Sequence, residues 1–107
     1  MENPIETDPR LREIARFFYA LKDPLRLRIL VTLAQEGESN VTDLVHTTRV
    51  SQPLLSWHLA RLRTAGLVRV ERDGRIVRYS VDLAEIERQL AVFRALLGQS
   101  ASSREKE

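Results

Sequence analysis

Val50-Ser51-Gln52-Pro53-Leu54-Leu55-Ser56-Trp57-His58-Leu59-Ala60-Arg61-Leu62-Arg63-Thr64-Ala65-Gly66 decides how the rest of the chain reads. Ser51 is a cap-type residue, Pro53 fits the first turn of a helix, and Gly66 stops one. Leu55, Leu59 and Leu62 recur at i, i+4, i+7 and form one apolar stripe. Nearly opposite lie Pro53, Trp57, Ala60 and Thr64, with Ser56 and Arg61 on the flanks. A tryptophan turned away from the core, on a small, polar and basic face, marks a surface built to be laid into something.

Working outward, Asn40 opens a short helix with Asp43 three residues on, and its apolar set is Val41, Leu44 and Val45. Only Arg49 and Val50 separate it from the Ser51 helix, which is a helix-turn-helix arrangement. Upstream, Asp23-Pro24 pairs an N-cap with a first-turn proline; Leu27, Ile29, Leu30, Leu33 and Ala34 make the expected buried side, and Gly37 the stop. Asp8-Pro9 gives the same start signal to a first helix, whose stripe is Leu11, Ile14, Phe18 and Leu21, with Phe17 beside it. Downstream the period changes to that of strands. Residues 67–72 and 75–80 are β-prone runs joined at Asp73-Gly74, a hairpin signal whose turn needs φ > 0, with Arg72 and Arg75 bracketing the tip. Asp82 with Glu85 then starts a last helix carrying Leu83, Ile86, Leu90, Phe93 and Leu97, which Gly98 is expected to stop.

The fold expected is mainly α with a small β-hairpin wing: four helices, a hairpin and a fifth helix, a winged helix-turn-helix. Residues 1–8 read as a flexible N-terminal tail, 9–97 as one DNA-binding and dimerisation domain, and 98–107 as a small, polar, disordered C-terminal tail.

A chain of 107 residues, 43 % hydrophobic and 30 % charged, is one ordinary globular domain. No run approaches the roughly 18 apolar residues of a membrane span, and the polar N-terminus carries no visible signal peptide, so a cytoplasmic location and no membrane partner are expected. There is no cysteine, which removes disulfides, thiolate metal sites and thiol redox sensing. The net charge of +2 says little, but its distribution says more. Seven arginines and two acids lie between Arg49 and Arg78, a local +5 that leaves −3 for the remainder. Such a division suits a nucleic-acid face as well as a solvated arginine-rich surface. An enzyme is not expected. Ser56 and His58 are two apart on a helix and diverge, no acid orients the histidine, and no phosphate-binding glycine loop is present.

From about Ile14 to Leu90 the chain resembles the ArsR/SmtB-like family of bacterial transcriptional regulators. The resemblance rests on Ala20-Leu21-Lys22-Asp23-Pro24-Leu25-Arg26-Leu27-Arg28-Ile29-Leu30, on Val50-Ser51-Gln52-Pro53 with Ser56-Trp57-His58-Leu59, and on Leu62-Arg63-Thr64-Ala65-Gly66-Leu67-Val68. The wing, Arg72-Asp73-Gly74-Arg75-Ile76-Val77-Arg78-Tyr79-Ser80, adds to it. It implies a homodimer held by the first and last helices, binding a partly palindromic double-stranded operator and usually repressing its target. The stripes at the two ends agree with that: Leu11, Ile14, Phe18 and Leu21 with Leu83, Ile86, Leu90, Phe93 and Leu97 are the expected dimer interface. The alternative is that they roof the protomer's own core.

The resemblance points to Gln52, Pro53, Ser56 and Trp57 as the groove-facing set. Gln52 offers a donor and an acceptor to an adenine edge, and Ser51 can serve a phosphate as well as the helix end. Trp57 departs from the family's polar or basic residue. It either covers a thymine methyl or sugar, or folds back against Leu54. Arg61 can reach a phosphate, and Arg72, Arg75 and Arg78 can follow the adjacent minor groove; Arg49, Arg63 and Arg69 are weaker candidates. His58 reads as a metal ligand or pH sensor, or, the favoured reading, as a packing histidine bonded to nearby backbone. Family members commonly hold metal through a Cys-x-Cys pair in the third helix or His, Asp and Glu in the last. Here Asn40 and Thr42 stand at the former and Asp82, Glu85 and Glu87 in the latter, so no metal or other cofactor is expected, and any small-molecule inducer is unknown. The rival reading is a winged-helix protein-interaction module with Leu54 and Trp57 as its hot spot.

Overall fold

The computed structural model describes residues 8–105, with side chains described to residue 98. Its elements run α1 (Pro9–Leu21), α2 (Pro24–Glu36), β1 (Ser39–Asn40), α3 (Val41–Thr48), α4 (Gln52–Thr64), β2 (Val68–Asp73), β3 (Ile76–Val81) and α5 (Leu83–Glu105). This is a winged helix-turn-helix.

Four of the five helices begin where a side chain takes up backbone N–H groups that the helix itself leaves unpaired. Asp8 accepts from the Arg10 amide (2.9 Å), Asp23 from that of Leu25 (2.8 Å), Asn40 from that of Asp43 (2.8 Å) and Asp82 from that of Glu85 (3.0 Å). Pro9 and Pro24 fill first-turn positions where a missing N–H costs nothing. The end of α4 is a two-bond lock: Gly66, at φ +79°, donates to the Arg63 carbonyl (2.9 Å) and Leu67 donates to that of Leu62 (2.9 Å). The chain reverses there only because Gly66 carries no Cβ to oppose the left-handed backbone.

The core is centred on Leu55, Leu59 and Leu62 of α4, all fully buried, with Phe17, Ile29, Leu33, Leu44 and Leu67 closing around them. At about 1.5–3 kcal/mol for each large apolar side chain removed from water, this cluster is what holds α4 in place. The expected stripe of α4 is the one observed.

In two neighbouring helices the buried face differs from a simple reading of the stripe: α1 buries only Ile14 of its expected stripe, and α2 is rotated from expectation. In α1 the buried residues are Ile14, Phe17 and Ala20, so Phe17 points inward and Phe18 outward. In α2 they are Arg26, Ile29, Leu30 and Leu33, while Leu27 and Ala34 are exposed. Ile29, Leu30 and Leu33 set the frame, and one turn back at i−3 it reaches Arg26, not Leu27.

The sheet has the order β1-β3-β2, all antiparallel. The two-residue strand β1, which the sequence shows only as a helix cap, pairs Ser39 with Tyr79 and Asn40 with Arg78. In the hairpin Asp73 is paired with Ile76, so the turn residues are Gly74 and Arg75, one residue later than expected. Gly74 is at φ +63° and Arg75 is not in the positive region, the arrangement with glycine in the first turn position. Arg75 therefore forms the tip instead of flanking it.

The last helix also departs from expectation. It continues through Gly98 to Glu105 instead of stopping. Gly98 is not left-handed, an interior glycine costs a helix only about 1 kcal/mol, and residues 99–105 contain no proline. The expected N-terminal tail lies, apart from Asp8, outside the described residues, as do the last two residues of the expected C-terminal tail.

Candidate nucleic-acid interface

The turn between α3 and α4 carries Arg49 in the left-handed region (φ +59°), with its N–H bonded to the Val45 carbonyl (2.8 Å). A residue with a Cβ is strained there, and the fully buried stripe of α4 offsets that strain. The result is a rigid pair of helices with one face of α4 directed outward. Gln52, Pro53, Ser56, Trp57 and Arg61 are all exposed on that face, and Ser51 precedes them, also exposed. The Ser51 hydroxyl makes no capping bond, so α4 presents its first amides and a free hydroxyl at its positive end.

Trp57 is 49 % exposed and held in a defined setting. The guanidinium groups of Arg26 and Arg61 stand 5.2 and 5.1 Å from its ring centroid, and His58 meets it edge-on at 4.9 Å. Cations over an indole face are attracted by its quadrupole. Trp57 is thus a propped, half-exposed plate on the same exposed face as Gln52, Pro53 and Ser56.

His58 lies beneath it, buried. Its Nδ1 accepts a hydrogen bond of 3.0 Å from Nε of Arg26. The packing histidine expected from the sequence is present, but its partner is a side chain of α2 and not neighbouring backbone. Arg26 itself is only 6 % exposed, and sequence reasoning missed it. The signal was available in the i−3 extension of the α2 frame, but an arginine next to an apolar Leu27 is ordinarily assigned outward.

The wing sorts its arginines by strand alternation. Val68, Tyr79 and Val81 pack on the core, so the same sheet face holds Val70, Arg72 and Val77, and the opposite face holds Arg69, Glu71, Asp73, Ile76 and Arg78. Arg69 is bound to Asp82 (3.1 Å), holding that carboxyl below the usual carboxylate range. Arg78 lies between Glu38 (3.6 Å) and Asp73 (3.8 Å). Arg72 and Arg75, at the exposed end, have no ion pair among the described residues. Of the three wing arginines expected to meet DNA, two stand open and Arg78 is partly engaged with acids.

The expected dimer residues divide as well. Ile14, 5 % exposed, belongs to the protomer's own core and is not available to a partner. The reason is that Ile14 shares with Phe17 and Ala20, three and six residues on, the face of α1 that packs inward. Leu21, Ile86 and Leu90 pack partly on the core. Phe18, Leu83 and Leu97 are exposed, Leu11 and Phe93 are half-buried, and Phe18 meets Phe93 edge-to-face at 5.0 Å across α1 and α5.

For metal, the donor set fits poorly. Among the described residues no three His, Asp or Glu side chains come close enough to share an ion, and the chain has no cysteine. Among the same residues no helix is long and apolar enough to cross a membrane.

The family model described as "Bacterial regulatory protein, arsR family" matches residues 23–70, from the start of α2 into β2. A probable mercury resistance operon repressor of Streptomyces lividans is 37 % identical over 89 residues, 83 % of this chain and 70 % of that protein. The chain belongs to the ArsR family. Among solved structures, an ArsR-like transcriptional regulator from Rhodococcus sp. RHA1 superimposes with a TM-score of 0.81 at 27 % identity, covering 92 % of both chains. The homodimeric winged helix-turn-helix DNA-binding domain of a possible ArsR-family regulator from Mycobacterium bovis gives a TM-score of 0.67 at 30 % identity, over 83 % of this chain and 82 % of that one. This ArsR-family member is a winged helix-turn-helix regulator of transcription, with α4 in the place of the second helix of the helix-turn-helix.

Proposed function

We propose that the chain acts as a homodimeric repressor that binds a partly palindromic operator in double-stranded DNA. Gln52, Pro53, Ser56 and Trp57 enter the major groove, Ser51 and Arg61 hold phosphates, and Arg72, Arg75 and Arg78 lie along the flanking minor groove. The observation that carries this is the unobstructed outer face of α4, with open arginines at the wing tip and the uncapped Ser51 hydroxyl. Dimerisation uses Phe18, Leu83, Phe93, Leu97 and Leu11, placing two α4 helices one turn of DNA apart. It works without a thiolate metal site. The mercury named for the Streptomyces lividans relative is a soft ion, and this chain has no sulfur ligand to match it beyond Met1.

Selection of bound fragments from genomic or random DNA tests this. The expected product is a family of sites with two-fold symmetry and half-sites about one helical turn apart. Binding should fall steeply with salt. Salt-insensitive binding, or no enrichment over input DNA, overturns the proposal and favours the protein-interaction module built on Leu54 and Trp57.

A further inference from the structure

Between α1, α4 and α5 lies a cavity of about 350 Å³, a size in the range of small-molecule pockets. Its wall includes Gln89, which is only 5 % exposed. Gln89 donates through Nε2 to Glu85 (3.1 Å), and this fixes the amide orientation, since the reversed one would set an oxygen against a carboxylate. Its Oε1 is left buried without a hydrogen-bond partner among the described residues. Native proteins seldom leave such an acceptor unpaired, and a leucine there would avoid the cost.

The charges of the wall are unequal. Arg16, Arg26, Arg61 and Arg88 face Glu13 and Glu85. Arg88 engages both glutamates, which leaves the two acids satisfied by one arginine. Arg26 is bonded to His58, while Arg16 and Arg61 have no ion pair among the described residues. Phe17 and Ala65 supply apolar wall. An acceptor waiting for a donor, unspent positive charge and an apolar lining together define a complementary ligand.

We infer that this cavity is a binding site for a small organic carboxylate that also carries a hydroxyl group. The hydroxyl donates to Oε1 of Gln89, which turns from its buried position toward the cavity to receive it, and the carboxylate takes Arg16 and Arg61. Arg61 is also one of the two cations standing against Trp57, so drawing it toward the cavity removes a support from the exposed face of α4. Occupancy therefore weakens DNA binding, and in this respect the inference rests on the DNA-binding reading above. By linkage, operator DNA weakens ligand binding by the same factor.

The test uses the full chain and two probes, 3- and 4-hydroxybenzoate, which set two separations between carboxylate and hydroxyl, with benzoate as the comparison lacking the donor. Binding is measured by calorimetry and by emission of Trp57, first without DNA. At least one hydroxybenzoate should bind about tenfold tighter than benzoate, the worth of one well-placed hydrogen bond. That preference should vanish in Gln89→Leu and in Gln89→Met, whose folding is checked by thermal melting. Arg16→Gln should weaken all three acids alike. Absence of binding, or a hydroxyl preference that survives both Gln89 variants, overturns the site. Operator binding is then measured with and without the bound probe. Release of DNA supports the coupling, and unchanged affinity with the cavity occupied overturns it. A chain that binds no DNA even without probe refutes the DNA-binding reading instead, and the Gln89-dependent binding stands apart from it.

Discussion

Replacing Arg26 by methionine removes one of the more unusual contacts in the molecule while keeping most of the apolar stem. Arg26 is buried, its Nε lies 3.0 Å from His58 Nδ1, and its guanidinium stands 5.2 Å from the Trp57 ring centroid. The substitution strands His58 Nδ1 in the interior, at a cost of about 1–3 kcal/mol. It also deletes a cation–π contact worth about 0.5–1 kcal/mol. Against these stands the relief of no longer burying a charge, which matters most when both partners go together. Arg26→Met alone should therefore destabilise by about 2–3 kcal/mol. His58→Leu alone leaves a buried guanidinium without its acceptor and should cost at least as much. The double variant, with neither polar group present, should recover to within about 1 kcal/mol of the parent. Urea unfolding at a fixed protomer concentration measures all four corners of the cycle, the fixed concentration removing any contribution of the proposed dimer from the comparison. Costs that simply add in the double variant would refute the reasoning, since they would mean that Arg26 and His58 act independently.

The remaining expectations concern the DNA face, the helix ends and the dimer. Gln52→Ala should flatten preference at one base position by about 1–3 kcal/mol, whereas Arg75→Ala should weaken all sequences alike and lower the salt slope by about one. Both are read by anisotropy titrations on the selected operator and its single-base variants. Phe18→Glu should shift the protein toward monomer in sedimentation, while Ile14→Ala, inside the core, should lower stability by about 2–5 kcal/mol without that direct effect on association. Gly66→Ala should cost about 1–2 kcal/mol in the same urea assay, because φ +79° opposes a Cβ although Glu85 leaves room for one. The Asp23 carboxyl is held below its usual value, chiefly by the Leu25 amide. A depressed folded-state pKa gives stability that is complete above the unfolded value near 4 and lost as pH falls through the folded one. Acid titration of stability should accordingly show a loss in that window that is diminished in Asp23→Ala.

What could be read directly from the sequence was whatever local chemistry decides alone. The caps Asp8, Asp23, Asn40 and Asp82, the stop at Gly66 and the Leu55–Leu59–Leu62 stripe each depend on a few neighbouring residues, and each is where the sequence puts it. Strand β1 was not legible, because two residues carry no periodicity and their pairing partner, β3, lies almost forty positions away. The open state of Arg72 and Arg75, and the engagement of Arg69 and Arg78 with acids, depend on the hairpin register. A shift of the turn from Asp73-Gly74 to Gly74-Arg75 changes which side chain forms the tip.

The choice of buried face in α1 and in α2 has a shared cause with functional weight. In α1 the adjacent Phe17 and Phe18, and in α2 the adjacent Arg26 and Leu27, let the sequence be wound onto either of two faces about 100° apart. Simple hydrophobicity favours Leu27 over Arg26 for the interior. The structure makes the opposite choice because an acceptor, His58 Nδ1, waits on α4, and a hydrogen-bonded guanidinium can occupy a position that an unpaired one could not. In turning Arg26 inward, α2 brings its cation against Trp57 on the outer face of α4. In turning Phe17 inward, α1 frees Phe18 to pair with Phe93 and remain open to a second protomer. The polar contact that defeats the sequence pattern therefore also props Trp57 on the exposed face of α4. The apolar choice beside it leaves exposed the surface assigned to the proposed dimer.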